Sequence, residues 1–131
     1  MGAIIKIWNT YISPASDKLL DLGSSTLRFK NLYLSGLILT IQTGTTYTIL
    51  TTDDIVLLNH ATDDVVVTLP AATGSGKVYY IKNINTGAVT VDGNSTDQID
   101  GADDILLANR YDSIIIADCV ANTWYILVDN R

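Results

Sequence analysis

From residue 46 to the end of the chain, apolar and polar residues alternate over short runs, and turn signals rich in Gly, Asn and Asp separate these runs. Such alternation places successive side chains on opposite faces of a strand, whereas a helix repeats about every 3.6 residues. Many short strands at about 8–12-residue spacing are typical of sandwiches and barrels. The predicted strands cover residues 47–50, 55–59, 65–69, 77–83, 88–91, 98–99, 105–108, 113–119 and 123–128.

This pattern predicts an all-β protein whose residues 46–131 form an antiparallel β-sandwich, jelly-roll-like, with almost no helix. We expect its core to be built from the apolar residues on one face of each strand. The predicted core residues are Val66, Leu69, Val78, Ile81, Val89, Leu106, Ile114, Ile116, Trp124 and Ile126.

Residues 31–42 differ, because they are apolar on both faces of a period-two pattern. A strand of this kind needs cover on both sides, which the short neighbouring chain does not supply. Copies of the same chain would supply it, and closed rings are the usual outcome of self-association. We therefore expect a homotrimeric β shaft within residues 1–45. The predicted trimer-interface residues are Leu27, Phe29, Leu32, Leu34 and Ile38.

The N-terminal residues form an apolar arm that is too short to fold by itself. Ile4, Ile5, Ile7 and Trp8 surround a single charge, Lys6. Such a segment gains stability only against a partner. Two interpretations remain open: an extended arm that docks on another protein, and an edge strand that packs on its own subunit.

Charge is distributed unevenly along the chain, which has a net charge of −6. Residues 46–131 hold four basic residues and twelve aspartates, a net charge of −8. Nucleic-acid binding needs a basic face, so we expect no nucleic-acid partner. No run approaches the ~20 apolar residues of a membrane span, so we expect no membrane insertion. No secretory leader is expected either, because Lys6 interrupts the first apolar run.

Side chains with catalytic or metal-binding chemistry are scarce. The single histidine, His60, has no nucleophile motif to serve, and Cys119 lies in an apolar run typical of a buried, inert thiol. Residues 92–103 begin like a calcium loop, but Asp97 stands where Gly is needed and Asp103 where Glu is needed. We expect no catalytic residues, no cofactor and no metal.

Exposed aromatic residues on loops commonly bind sugars or protein surfaces. Strand alternation places one of Tyr79 and Tyr80 inward and the other outward. Tyr80 and Tyr111 are therefore the candidate receptor contacts, and the alternative for each is packing in the core or in a subunit interface.

Two stretches resemble parts of fibre and spike proteins of tailed bacteriophages. Residues 22–36 read LGSSTLRFKNLYLSG, which is similar to a segment that recurs in trimeric, β-rich shafts. Residues 68–72 (TLPAA), 76–83 (GKVYYIKN), 89–92 (VTVD), 99–101 (IDG) and 124–127 (WYIL) are similar to a small β-domain of many phage fibre and virion proteins. Together the two stretches cover most of residues 20–131.

The resemblance implies a structural virion protein, a short homotrimeric head or tail fibre with no enzymatic activity. In it, Ile4, Ile5, Ile7 and Trp8 would anchor the fibre to other virion proteins. The domain of residues 46–131 would be exposed for host attachment, with a cell-surface glycan as a further partner. The alternatives are a capsid decoration protein and a glycan-degrading fibre enzyme with paired carboxylates.

Overall fold

The computed structural model describes residues 37–131, which belong to one compact unit, Gly36–Arg131. Within this range every regular element is a strand, and no helix is long and apolar enough to cross a membrane. The predicted virion anchor and the interface residues Leu27, Phe29, Leu32 and Leu34 lie outside the described residues. The strands are β1 (Leu39–Gln42), β2 (Thr46–Thr48), β3 (Ile55–Leu58), β4 (Val65–Thr68), β5 (Val78–Asn83), β6 (Val89–Asp92), β7 (Gln98–Ile99), β8 (Asp104–Leu107), β9 (Ser113–Val120) and β10 (Thr123–Asn130).

The strands form two sheets, and the chain passes from one sheet to the other after each strand up to β8. The six-stranded sheet has the order β1-β3-β5-β9-β10-β7, and the four-stranded sheet has the order β2-β4-β6-β8. Strands β1, β3 and β5 are parallel to one another, as are β2, β4 and β6. The first six strands therefore wind like the coils of a β-solenoid, and β8, β9 and β10 close the structure with antiparallel pairs.

The all-β class and the position of each predicted strand in residues 46–131 are confirmed, but the antiparallel, jelly-roll-like arrangement is wrong. Alternation shows which face a side chain occupies, and it does not show which strand is the neighbour. One signal of parallel pairing is present in the sequence. Strands β3 (IVLL) and β4 (VVVT) are apolar on both faces, as strands of buried parallel sheets are. Residues 39–42 of the predicted shaft strand form β1, at the edge of the six-stranded sheet.

The core lies between the two sheets and is closed by residues from both. Six predicted core residues are buried, while Val78 and Ile126 are only half-buried. Val66 and Leu106 are wrong, because both side chains point outward and the neighbouring Val65, Val67 and Leu107 are buried instead. A shift of one residue moves a whole strand's side chains to the other face. The confirmed residues are Leu69, Ile81, Val89, Ile114, Ile116 and Trp124.

The adjacent leucines of β8 give a matched test of this register. Leu107 is fully buried, whereas 49% of Leu106 is exposed. We expect Leu107→Ala to lower the free energy of unfolding by about 2–5 kcal/mol, because it leaves a cavity in the core. Leu106→Ala should change it by less than about 0.5 kcal/mol. Urea unfolding of both variants at one protein concentration measures the difference, and equal losses would contradict the register.

Candidate functional site

The outward face of the six-stranded sheet carries a continuous row of apolar side chains. The register aligns one residue from each of β1, β3, β5, β9 and β10 at the same level. We call these residues the apolar row: Leu39, Ile55, Tyr80, Ile115 and Val128. About half of the Leu39, Tyr80 and Val128 side chains is exposed, and the row spans about 19 Å at the usual strand spacing. A groove of about 220 Å³ is lined by four of these residues, from Ile55 to Val128.

The outward face of the four-stranded sheet is different in character. Aligned positions on β2, β4, β6 and β8 hold Thr46, Val66, Thr90 and Leu106, and the next level holds Thr48, Thr68, Asp92 and Asp104. Threonine and aspartate can hydrogen-bond to water, so this face suits solvent. None of the positions in the apolar row is charged. The two outward faces therefore differ in what can cover them.

A tight turn at residues 109–112 precedes β9 and presents Tyr111. The φ angle of Tyr111 is +79°, a left-handed conformation that is rare for a bulky residue and costs on the order of 1–3 kcal/mol. Two buried side chains hold the turn in place. The Nδ2 of Asn83 donates to the carbonyl oxygen of Asn109 (3.1 Å), and the Oδ2 of Asp112 accepts from the N–H of Asn109 (2.8 Å). The carbonyl oxygen of Asn83 also accepts from the N–H of Tyr111 (2.7 Å).

Two cations lie over the ring of Tyr111. The Nζ of Lys82 is 5.7 Å from the ring centroid, and the guanidinium carbon of Arg110 is 4.9 Å from it. Both distances are within the range of cation–π interactions. Lys82 comes from the outward side of β5, one level beyond the apolar row, and it also lines the groove. The cations therefore lie at one end of this face.

Asp118 lies inward on β9 and holds the loop before β5. Its carboxylate accepts the backbone N–H groups of Thr73 (3.1 Å), Gly74 (2.7 Å) and Ser75 (3.0 Å), and the hydroxyl groups of Thr73 and Ser75. The positive φ of Gly74 allows successive N–H groups to converge on one anion. Burial by itself raises the pKa of the Asp118 carboxyl, but hydrogen bonds from Ser75, Gly74 and Thr73 lower it to about 2.

A second cleft, of about 260 Å³, lies between this loop and the core. Its walls include Ser75, Lys77 and Asp118, and Tyr79 and Trp124 lie at its base with ring centroids 5.6 Å apart. Within residues 37–131, the Nε1 of Trp124 is the single buried side-chain donor without a hydrogen-bond acceptor. Both rings are almost wholly buried. The cleft therefore combines a mainly apolar lining with the hydroxyl, ammonium and carboxylate groups of Ser75, Lys77 and Asp118.

The two candidate receptor contacts, Tyr80 and Tyr111, are both exposed, and the structure places them differently. Tyr80 stands in the middle of the apolar row, on the central strand β5, whereas Tyr111 stands in the turn before β9. Ile38 is the predicted trimer-interface residue that lies within the described part of the chain, and it is half exposed just before β1. Contact of these residues with a partner stays a prediction. Sequence reasoning missed Lys82, which the pairing of β5 with β9 brings to Tyr111, and Arg110, which precedes Tyr111 in the same turn.

His60 and Cys119 occupy positions with plain structural explanations. The Nδ1 of His60 accepts the N–H of Asp63 (3.1 Å), so it closes a turn, and it lies 3.7 Å from the Asp63 carboxylate. The expectation of a buried thiol is wrong, because Cys119 is exposed. Asp118 takes the inward position on β9, so Cys119 must point outward.

The loop of residues 92–103 is held by its own backbone and by Asp97. The N–H of Gly93 donates to the carbonyl oxygen of Asp103 (3.0 Å), and a Cβ at position 93 would overlap the carbonyl oxygen of Asp97. The carboxylate of Asp97 accepts the N–H of Ala72 (2.7 Å) and is buried. In the described range, no three acidic, histidine or cysteine side chains gather in a way that could hold a metal ion.

Comparison with known proteins adds no relative to this picture. The sequence matches no model of a known protein family, and no curated protein is detectably similar to it. Function must therefore be argued from the residues and geometry of this chain.

The Asp118 loop predicts a specific dependence of stability on pH. The pKa in the folded protein, about 2, lies below the ordinary value of 3.8. The stabilisation is therefore fully present above pH 3.8 and is lost as the pH falls through 2. We expect Asp118→Asn to cost about 2–3 kcal/mol at pH 7, because a neutral amide has one acceptor oxygen where both carboxylate oxygens of Asp118 accept loop N–H groups. The variant should also lose this acid-dependent step.

The control is Asp104→Asn, at an exposed carboxylate on β8. This change should alter the free energy of unfolding by less than about 0.5 kcal/mol. Urea unfolding between pH 2 and pH 7, at fixed protein concentration, compares the two variants with the parent. A similar small effect of both substitutions at pH 7 would show that the Asp118 loop is not held by its carboxylate.

Proposed function

We propose that the chain is a structural protein of a tailed-bacteriophage virion, a short homotrimeric fibre anchored by its N-terminal arm. The domain that contains the two sheets is exposed and makes host attachment. The single observation that carries the proposal is the apolar row on the outward face of the six-stranded sheet. The resemblance of residues 22–36 to shaft segments of phage fibres supports it independently.

A second copy of the chain is the partner that fits the apolar row. The described domain carries −8, so most of its surface repels another copy. The apolar row has no charged residue, and copies can meet there without bringing carboxylates together. Soluble monomers rarely expose contiguous apolar patches larger than a few hundred Å². Three such faces around a common axis would remove the row from water and leave the threonine- and aspartate-rich faces, and the turn at residues 109–112, outside.

A glycan-degrading fibre has no specific observation in its favour. A glycosidase needs one carboxyl whose raised pKa keeps it protonated near neutral pH. The pKa values of the buried Asp53 and Asp118 are lowered and not raised. Burial tends to raise both values, but hydrogen bonds hold them below the ordinary value. These two groups are ionised at neutral pH, so neither can serve as the general acid. A capsid decoration protein would share the trimer and the arm and would differ in its location on the virion.

Two valines on opposite outward faces test the trimer. Val128 belongs to the apolar row and Val66 to the four-stranded sheet, and they are 50% and 40% exposed. We expect the parent protein to sediment as a trimer at micromolar concentration. Val128→Asp should shift it to the monomer, because three buried carboxylates would face one another without partners. Val66→Asp should leave the mass unchanged, because that side chain stays in water.

Sedimentation equilibrium gives the masses, and circular dichroism shows that both variants remain folded. A monomeric parent protein would overturn the proposal. A trimer that survives Val128→Asp but not Val66→Asp would place the interface on the other sheet.

The arm gives a separate prediction about anchoring. Deletion of residues 1–13 should leave a folded, trimeric domain that no longer joins particles, because Ile4, Ile5, Ile7 and Trp8 are removed. Trp8→Ala should weaken incorporation while leaving the thermal unfolding of the domain nearly unchanged. Three arms on one trimer would bind together, and the substitution is present in all three. A modest loss of affinity in each arm therefore causes a large loss of overall binding.

Co-sedimentation with purified particles measures incorporation, and Lys6→Ala provides a control within the same arm. Incorporation of the truncated protein at the parent level would show that the arm is an ordinary strand of the fold.

A further inference from the structure

The strained turn at residues 109–112 presents an aromatic ring and two cations to solvent at one end of the outward face. We propose that Tyr111, Lys82 and Arg110 form a binding site for an acidic saccharide. The sugar ring stacks on Tyr111, and its acid group pairs with the two cations. The source of the ligand, a host-surface glycan, rests on the proposed attachment function; the binding chemistry does not.

Lys82 and Arg110 are the uncommitted cations of this domain. Of the four basic residues in positions 37–131, Lys77 pairs with Asp54 (2.6 Å) and Arg131 with Asp129 (2.5 Å). Within that range, Lys82 and Arg110 have no carboxylate within 4.0 Å. Twelve aspartates make such an exception notable, because anions are repelled elsewhere on the domain. An acid group therefore finds its attraction where these two side chains converge.

The geometry of the turn is fixed before any ligand arrives. Tyr111 keeps its positive φ because Asn83, which is fully buried, binds both sides of the turn. Its Nδ2 also donates to the carbonyl oxygens of Gly87 (2.9 Å) and Leu107 (3.2 Å). Asp112 is the carboxylate nearest in sequence, but it is buried and caps the N–H of Asn109. Backbone strain that the surroundings enforce in this way is concentrated at functional sites. A site held rigidly loses little entropy when it binds.

The chemistry of the three side chains selects the ligand class. Tyr111 is 55% exposed, so the part of its ring that the two cations leave uncovered can contact the C–H groups of a pyranose ring. A guanidinium binds a carboxylate through two parallel hydrogen bonds, and an ammonium adds a point charge. An extended polyanion such as nucleic acid would be repelled by the net charge of −8 on residues 46–131, whereas a saccharide with one acid group on a neutral ring would be repelled much less. A uronic acid has this combination.

The test compares glucuronic acid with glucose, which has the same ring without the carboxylate. The full chain, labelled with nitrogen-15, is titrated with each sugar, and amide shifts are followed by nuclear magnetic resonance. We expect glucuronic acid to shift the amides of Lys82, Arg110 and Tyr111 with a dissociation constant of about 1–10 mM, as is usual for one small ligand. Glucose should bind at least about tenfold more weakly.

Variants at the same positions separate recognition from folding. Tyr111→Asn removes the ring and keeps a residue that tolerates the left-handed backbone, so the turn should persist. It should weaken glucuronic acid binding at least about tenfold, whereas Tyr111→Phe should retain it. Arg110→Gln and Lys82→Gln should each weaken binding, and Arg110→Lys should restore part of it. An unchanged spectrum elsewhere shows that each variant is folded.

Three outcomes would overturn the site. Equal binding of glucose and glucuronic acid would remove the role of the cations. Equal binding of inorganic phosphate or single-stranded DNA at these amides would make it a general anion site and not a saccharide site. Absence of any shift at these amides up to ~10 mM would remove the site itself.

A trimer that joins particles but binds no uronic acid overturns this proposal alone. Binding by a protein that is monomeric and joins no particle overturns the proposed function alone.

Discussion

The fold depends on hydrogen-bond acceptors for the backbone N–H groups in each loop that crosses between the two sheets. A crossing leaves N–H groups that no neighbouring strand can accept, and a buried unpaired N–H costs about as much as a lost hydrogen bond. In this protein, short acidic and amide side chains act as the missing acceptors. The carboxylates of Asp53, Asp97, Asp112 and Asp118 each bind backbone N–H groups of a loop, and the Oδ1 of Asn83 binds the N–H of a residue two positions on. These side chains supply the acceptors that the backbone N–H groups of the crossing loops need.

This constraint gives the composition a structural explanation. All fourteen acidic residues are aspartates, and a carboxylate on a short side chain reaches a nearby N–H with less loss of side-chain freedom than glutamate. Acidic residues commonly keep a protein soluble, but several of the aspartates here are buried. The placement of the carboxylates also affects the surface. Most of them lie in loops and on the four-stranded sheet, and none lies in the apolar row. The rigid turn that presents Tyr111 is one more result of buried polar side chains holding a crossing.

Much of the local structure could be predicted from the sequence, and the pairing of strands could not. Alternation located the strands of residues 46–131 because apolar side chains in the core repeat every second residue. The same pattern fits parallel and antiparallel neighbours, so the coil-like winding was missed. Val66 and Leu106 were assigned inward because three consecutive valines in β4 and two leucines in β8 leave the phase ambiguous. Tyr80 and Tyr111 were found as exposed aromatics. Lys82 was not, because its approach to Tyr111 depends on the sheet pairing that joins β5 to β9. Arg110 precedes Tyr111 directly, but a single cation in a polar turn carries no signal by itself.

The position of β5 also determines the order in which the structure can be completed during synthesis. This central strand lies between β3, which precedes it, and β9, which begins at Ser113. Among the strands of residues 37–131, only β9 and β10 form a local hairpin, whereas the other pairings close loops of many residues and form slowly. Until the last strands leave the ribosome, β5 has one unpaired edge and Trp124 is not there to fill the core. A nascent chain that stops early therefore exposes an open apolar edge, the kind of surface that chaperones bind.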